Sequence, residues 1–576
     1  MSEAAETTHT STSLMRSSAV MASGTVVSRI TGMVRDVVLI AAIGTGVFSD
    51  TYSIGNTIPN IIYILIVGGA LNAVFIPQLV RRMKDDDDDG AAYADRLLTI
   101  TGLILLAVSA LAVLLAPWIV RLYGSGNWSA NDLSTATAFA RYCLPQIFFY
   151  GVYTMLAQVL NTRGRFGAPM FAPIVNNAVV VIAALMFIGI VGSNPSTSTI
   201  TSGQIALLGI GTTLGVVAQA AVLVPVLRRA GYLYRPRFDF RGQGLGKAGQ
   251  LAKWTIGFVL INQLSYLVIA NLTTSNNVNA AREGLAAAGF TSYQKAHLLF
   301  ILPHSIVTVS IVTALLPRMS RAAHNLDFRR VSRDVSSGMR LTAAMLMPAS
   351  GAFIVFGATI AALLYARGAT SPADATNIGH VLSWFAVGLP AFSLYYVLLR
   401  GFFSLEDTKT PFWINLLLNV FNLAIAVPLF FAVGESSRIE ALALGYSLAY
   451  WLSLVISWRV LGKRIGGLET RHTVRSLVRI GIATLIAMGI AYGVVVALSH
   501  WRSTGALAWW SALIVGGSVF VVAYFTAAWA MRITEIDDVF AMVGRRVPGL
   551  PSRATQRPGG SGHEPQHRSP PESPPD

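Results

Sequence analysis

The chain has one cysteine, Cys143, so it forms neither an internal disulfide nor a multi-cysteine metal site. Acidic residues are also scarce: 27 Asp and Glu stand against 43 Lys and Arg, leaving a formal charge of +16. The one dense acidic cluster, five aspartates at 85–89, lacks the spaced oxygen ligands of a calcium loop and reads as a solvated loop. No paired carboxylates or histidine-containing words stand where a membrane-embedded glycosyltransferase or phosphatase would need them. A glycine-rich nucleotide loop is absent too. These absences weigh against an enzyme and towards a carrier.

Apolar sequence dominates instead. Hydrophobic residues make up 53% and charged residues 12% of 576, with mean hydropathy +0.58. Runs of 18 or more apolar residues recur, each able to cross a hydrocarbon core of about 30 Å. About fourteen spans are expected, at 17–43, 52–80, 97–120, 135–160, 169–192, 204–227, 250–274, 292–317, 340–365, 378–403, 411–433, 439–461, 476–499 and 506–531. Basic residues cluster in alternate loops, as in Arg228, Arg229, Arg235 and Arg237, or Arg329, Arg330 and Arg333. The other set of loops holds only Arg121, Arg282, Arg367, Arg438 and Arg502. Such alternation orients a membrane protein with both termini in the cytoplasm, and it removes nucleic acid as the reason for the positive charge. No cleavable signal peptide is expected, because polar residues 1–15 lead directly into the first span. The Pro-, Ser- and Gly-rich tail from about 549 is expected to be disordered.

The first span is the anomaly. Arg29, Arg35 and Asp36 lie inside an apolar run, and each charge costs roughly 2.5–3.5 kcal/mol at the centre of a spanning helix. At ~100° per residue the two arginines are ~120° apart, so one side of the helix can present both to a wet cavity. A cationic cavity suggests an anionic substrate.

The chain also repeats itself. Leu144-Pro145 is answered by Leu389-Pro390, Pro169 and Asn177 by Pro411 and Asn419, and Ile58-Pro59 by Leu302-Pro303, at offsets of 245, 242 and 244 residues. Six spans fit each unit, so both copies enter the membrane in the same direction, as in parallel-repeat transporters. The expected fold is therefore an all-α polytopic membrane protein: two six-helix lobes related by a pseudo-twofold, plus two C-terminal helices. The divisions are a tail at 1–15, lobes at 16–228 and 250–462 joined by a basic linker at 229–249, a helix pair at 463–532, and a tail at 533–576. Pro59, Gly68, Gly69 and Pro303 are the expected bending points, since prolines kink spans and glycines let helices approach.

The words SRITGMVRD (28–36), IPN (58–60), FIPQL (75–79), NTRGRFGAPMFAPIVNN (161–177), LLPRMS (315–320) and FFSLEDTKTP (402–411) resemble the MurJ/MviN family across all fourteen spans. The family is the lipid II flippase branch of the multidrug/oligosaccharidyl-lipid/polysaccharide exporters. The resemblance implies a central cavity between two lobes and a C-terminal groove for a lipid tail. It also implies alternating access that carries the undecaprenyl-pyrophosphate-linked precursor, lipid II, to the outer leaflet for cell-wall synthesis. Membrane lipids and cell-wall synthesis proteins are the other implied partners. Arg29 and Arg35 match the family's first-span arginines and are candidates for the pyrophosphate, although pairing with Asp36 or Asp50 to close a gate is the alternative. Asp50 equally suits a helix N-cap. Asp407 and Lys409 are expected at the cytoplasmic gate, or as topogenic charge.

The sequence departs from the family at Tyr63-Ile64, where many members carry arginines. It departs again before Leu302-Pro303, where Lys295 stands in for an expected arginine and His297 is expected to be packed. No cofactor is expected. Coupling is expected from the membrane potential or from a monovalent cation, for which Asn262, Asn415 and Asn419 offer oxygens but no carboxylate. The rival expectations are a flippase for another polyprenyl-pyrophosphate oligosaccharide and a multidrug exporter.

Overall fold

A computed structural model of the protein describes residues 2–68, 91–192, 195–239, 245–285, 288–501 and 505–536. Gly69, the five-aspartate run and the tail from 549 lie outside these. Among the described residues there is no strand. That is what a lipid environment demands of an open chain, because only helices satisfy every backbone N–H and C=O within one segment.

The long helices are α1 Ser2–Ile43, α2 Val47–Tyr63, α3 Ala91–Leu114, α4 Ala130–Thr162, α5 Gly167–Val191, α6 Ser202–Arg229 and α7 Leu245–Arg282. They continue with α8 Phe290–His324, α9 Phe328–Tyr365, α10 Pro372–Ser404, α11 Lys409–Ala432, α12 Arg438–Ile465, α13 Thr470–Trp501 and α14 Ala506–Ala530. Twelve helices among the described residues are long and apolar enough to cross a membrane, and they correspond to the third to fourteenth expected spans. The first two expected spans are not among the twelve. One carries Arg29, Arg35 and Asp36, and the other is described only as far as a π-helical turn, Ile64–Gly68. The multi-pass membrane fold stands at twelve counted spans, and fourteen remains the expectation.

Local chemistry explains several boundaries. Ser129 with Asp132, Thr201 with Gln204 and Ser371 with Asp374 form reciprocal capping boxes that start α4, α6 and α10. Repeat mates need not behave alike. At Leu144-Pro145 α4 breaks, and Ser109 Oγ donates to the Leu144 carbonyl at 3.1 Å. At Leu389-Pro390 α10 runs through without interruption.

Helices α1–α6 pack chiefly on one another, and α7–α12 do likewise. The pair α13–α14 lies against α9. There Arg340 of α9 pairs with Glu469 at 3.5 Å and Glu535 at 3.3 Å, and the Tyr524 hydroxyl donates to the Ala344 carbonyl at 2.8 Å. An apolar cluster joins the two groups, bringing Ile54, Ile58 and Ile61 of α2 against Ala270 of α7 and Phe290 of α8. After α6 the chain runs as an extended strap over residues 232–239, fastened across α3. The Tyr232 hydroxyl and Arg235 N–H donate to Asp95, the Arg237 N–H donates to Thr99, and Arg96 donates to Asp239.

Candidate functional site

The charged side chains of α1 sit at the division between the two groups of helices. Arg29 lies 14 residues before Ile43, about 21 Å down the helix axis, and Arg35 about 12 Å down. They diverge. Arg29 is exposed, and its Nη1 donates across the division to Ser305 Oγ of α8 at 2.6 Å. Arg35 is half-buried within its own group, and its Nη1 donates to Asn177 Oδ1 of α5 at 3.1 Å. Asn177 is held in turn by donating to Thr31 Oγ1 at 2.9 Å and to the Ser28 carbonyl at 3.2 Å. The buried Nε of Arg35 has no partner among the described residues.

Asp36 is buried and joins the two groups. One carboxylate oxygen lies 3.4 Å from Arg35 Nη2, and the other accepts from Lys295 Nζ of α8 at 2.7 Å. Lys295 therefore shares Asp36 with Arg35, and its ammonium is engaged by that carboxylate. A triad of two cations and one carboxylate keeps net positive charge at mid-depth, which a pair would cancel.

Asp50 forms the next layer. It does not cap its own helix, because α2 starts at Gly46 without a side-chain cap. Its carboxylate instead accepts from the backbone N–H groups of Phe290 at 3.1 Å and Thr291 at 2.8 Å and from Asn277 Nδ2 at 2.7 Å. Asp50 of the first group thus caps the N-terminus of α8 in the second, where orphan donors and the helix dipole favour an anion. Gly289 permits the approach, since a Cβ there would lie 2.4 Å from Asp50 Oδ2 and 2.2 Å from Asn277 Nδ2. Ser49 and Ser53 hydrogen-bond Thr291, at 3.0 and 2.9 Å. At the same end the Ala369 N–H donates to the Ala41 carbonyl at 2.8 Å. Adjacent Gly368, at φ +59, passes so near that a Cβ would meet that carbonyl at 2.3 Å. Of these cross-group bonds, Arg29–Ser305 lies farthest from the Asp50 end. Around it Val26, Val27, Ile30 and Val34 of α1 are exposed, Ile30 by 58%.

The other expected site residues lie apart. Asp407 and Lys409 sit where α11 begins. The Asp407 carboxylate accepts from the Lys409 N–H at 3.1 Å, from the Thr410 N–H at 3.0 Å and from Arg464 at the end of α12. All these partners belong to the second group, so the described contacts make Asp407 a cap within one lobe. Burial pushes its carboxyl up, but the Thr410 donors, the Arg464 charge and the Lys409 N–H outweigh burial and hold it below its ordinary range. Asn262, Asn415 and Asn419 do come together. Asn419 donates to Asn262 Oδ1 at 3.0 Å and Asn415 to the Phe258 carbonyl at 3.3 Å. Asn419 thus ties α11 to α7 as its mate Asn177 ties α5 to α1. His297 packs among Phe300, Phe385 and Tyr446, as expected. Pro59 is buried in α2 just before the π-helical turn that includes Gly68, and Pro303 lies within the continuous α8.

Ser305, Asn277 and the N–H groups of Phe290 and Thr291 are site groups that sequence reasoning missed. Asn177 was visible only as a repeat marker.

Residues 39–512 match the family described as Lipid II flippase MurJ. The chain belongs to that family. The matched stretch begins after the first-span arginines. A solved structure titled "Lipid II flippase MurJ, inward closed conformation" superposes with TM-score 0.68 at 18% identity, covering 89% of this chain and 99% of that one. A multidrug resistance MATE family transporter in an inward-facing conformation superposes with TM-score 0.59 at 14% identity, over 77% of this chain and 96% of that one. At such identities these share the fold. Among curated relatives, a probable lipid II flippase MurJ of Rhizobium meliloti (strain 1021) is 28% identical, over 78% of this chain and 81% of that protein. One from Vibrio cholerae serotype O1 (strain ATCC 39315 / El Tor Inaba N16961) is 25% identical, over 85% and 91%.

Proposed function

We propose that this MurJ-family chain carries lipid II from the inner to the outer leaflet of the cytoplasmic membrane by alternating access, with both termini in the cytoplasm. The observation that carries the reading is the placement of Arg29, Arg35 and Lys295 at the division between the lobes, with a buried guanidinium nitrogen of Arg35 unpartnered. A pyrophosphate crossing a low-dielectric slab must exchange hydration for fixed donors. A guanidinium fork serves well, because it binds phosphate oxygens in pairs and keeps its charge when desolvated. Asp50 lies at the outward end in this reading, so the state is closed outward and Arg29 faces the cytoplasmic half. The relatives' names support lipid II over another polyprenyl-linked oligosaccharide, and the basic triad disfavours a cation-exporting role. Membrane lipids and cell-wall synthesis proteins remain the proposed partners.

For energy we favour the membrane potential acting on these cations, at about 2.3 kcal/mol per charge per 100 mV. A monovalent cation at Asn262, Asn415 and Asn419 is the second reading, weakened because the three amides already bond one another or the backbone.

The test is depletion of the protein followed by measurement of which membrane face exposes lipid II. Outward exposure should fall, wild-type chain should restore it, and Arg29→Ala or Arg35→Ala should not, at equal expression. Unchanged exposure on depletion would remove the reading; full rescue by both variants would remove the arginine mechanism.

A further inference from the structure

An apolar cavity of about 620 Å³ opens on the first lobe, with no lining residue from α1 or α8. Its walls are Leu98, Leu103 and Leu106 of α3, Phe148 and Met155 of α4, and Val224 of α6. The strap closes one end with Tyr232, Leu233, Tyr234 and Phe238. The volume falls in the range of ligand sites, roughly 300–1,000 Å³. Among the described residues, its one charged wall residue is Arg228. Leu103, Leu106, Val224 and Leu233 are exposed, so the mouth opens sideways, as a lipid-facing pocket does. A Cβ on Gly102 would meet nothing within 4 Å, so the space continues along α3.

Arg228 lines the cavity, and Arg235 lies on the strap between the lining residues Tyr234 and Pro236. Arg228 and Arg235 are exposed, and neither has an ion-pair partner among the described residues. The nearby acids are used elsewhere: Asp95 accepts from Tyr232 and the Arg235 backbone, and Asp239 accepts from Arg96. These bonds also fix the strap, so the cavity is preformed. Apolar walls along the membrane-spanning part of α3, with cations where α6 ends, match a molecule with acyl chains and a single anionic head.

We propose that this cavity binds an anionic phospholipid of the bilayer, acyl chain between α3 and α4 and phosphate at Arg228 and Arg235. The site is separate from the cross-lobe cations. Because the strap leads on to α7, the lipid braces the connection between the lobes. A polyprenyl chain would suit the same walls, but the head group it needs is supplied at α1, so the phospholipid is the assigned occupant.

The experiment is native mass spectrometry of the purified full-length chain, equilibrated with equal phosphatidylglycerol and phosphatidylcholine. Near-surface arginines each favour anionic lipid several-fold, so the wild type should retain phosphatidylglycerol about tenfold over phosphatidylcholine. The Arg228→Gln/Arg235→Gln variant should bring that ratio close to one while still retaining neutral lipid. Gly102→Phe, and independently Leu103→Trp, should lower retention of both lipids by filling the cavity. Equal retention by the wild type would overturn the proposal, as would an unchanged preference in the double variant. Displacement of phosphatidylglycerol by an equimolar polyprenyl pyrophosphate would also overturn it, assigning the cavity to the transported substrate. Failure of Arg29→Ala to impair flipping bears on the proposed function and leaves these ratios untouched.

Discussion

At the scale of single residues, Asp36 is the pivot, because it pairs with cations from both lobes at once. Lys295→Met leaves a buried carboxylate with only the longer Arg35 contact, and removing one partner of a buried pair costs about 3–5 kcal/mol. The melting temperature of the purified protein should fall accordingly. Asp36→Asn/Lys295→Met, which removes both charges, should recover most of that loss while lipid II flipping stays impaired. A double variant no more stable than Lys295→Met would show that the pair is not coupled. Residue identity made part of this legible. Three charges inside an apolar run can only face water, a ligand or each other, so Arg29, Arg35 and Asp36 were readable from the sequence. Their directions were not, because 120° on a helix wheel says nothing of what stands opposite. Ser305 and Asn177, which separate the two arginines, are uncharged and carry no such signal.

Among the elements, the meeting of α2 with the start of α8 seals the Asp50 end, which is the outward one in the proposed reading. Gly289→Ala would drive a Cβ into Asp50 and Asn277, and overpacking of this kind costs about 1–3 kcal/mol. The penalty falls on the closed state alone. A cysteine placed at Ser53, in a Cys143→Ser background, should therefore react faster with an impermeant maleimide added from outside; an unchanged rate would refute the seal. The loop between α10 and α11 has its own pH dependence. Asp407 is held below its ordinary range when folded, so the stability it contributes is complete above the unfolded value, about 3.9. That contribution is lost as pH falls through the lowered folded value. Asp407→Asn should flatten this part of the melting-temperature profile below about pH 5, and identical profiles would show that the cap contributes nothing. The sequence placed Asp407 at a gate because its loop is the repeat mate of the Arg163-Gly164-Arg165 loop. The geometry that makes it a cap depends on Arg464, 57 residues away, and no local pattern announces that distance.

For the whole molecule, the repeat was the strongest sequence signal, since prolines and asparagines recur at nearly one offset. It foretold the two packed groups, and it paired Asn177 with Asn419 without showing that they tie α5 to α1 and α11 to α7. It did not foretell that the mates diverge, with α4 broken at Pro145 while α10 runs on through Pro390. If α2 and α8 bend as the lobes rock, Pro59→Ala/Pro303→Ala should narrow the distribution of spin-label distances between the lobes and slow flipping severalfold. An unchanged distribution with full activity would remove the prolines from the mechanism. The contact of Asp50 with the main-chain N–H groups of Phe290 and Thr291 carries a last consequence, for comparisons among relatives. Any residue except proline supplies the same N–H, so this part of the contact survives substitution at 290 and 291 without a compensating change at 50, even though the Thr291 hydroxyl and the Phe290 ring have partners of their own. Correlated substitution across an alignment would therefore pass over the main-chain half of this contact, leaving a small residue at 289 and the amide at 277 as its traces.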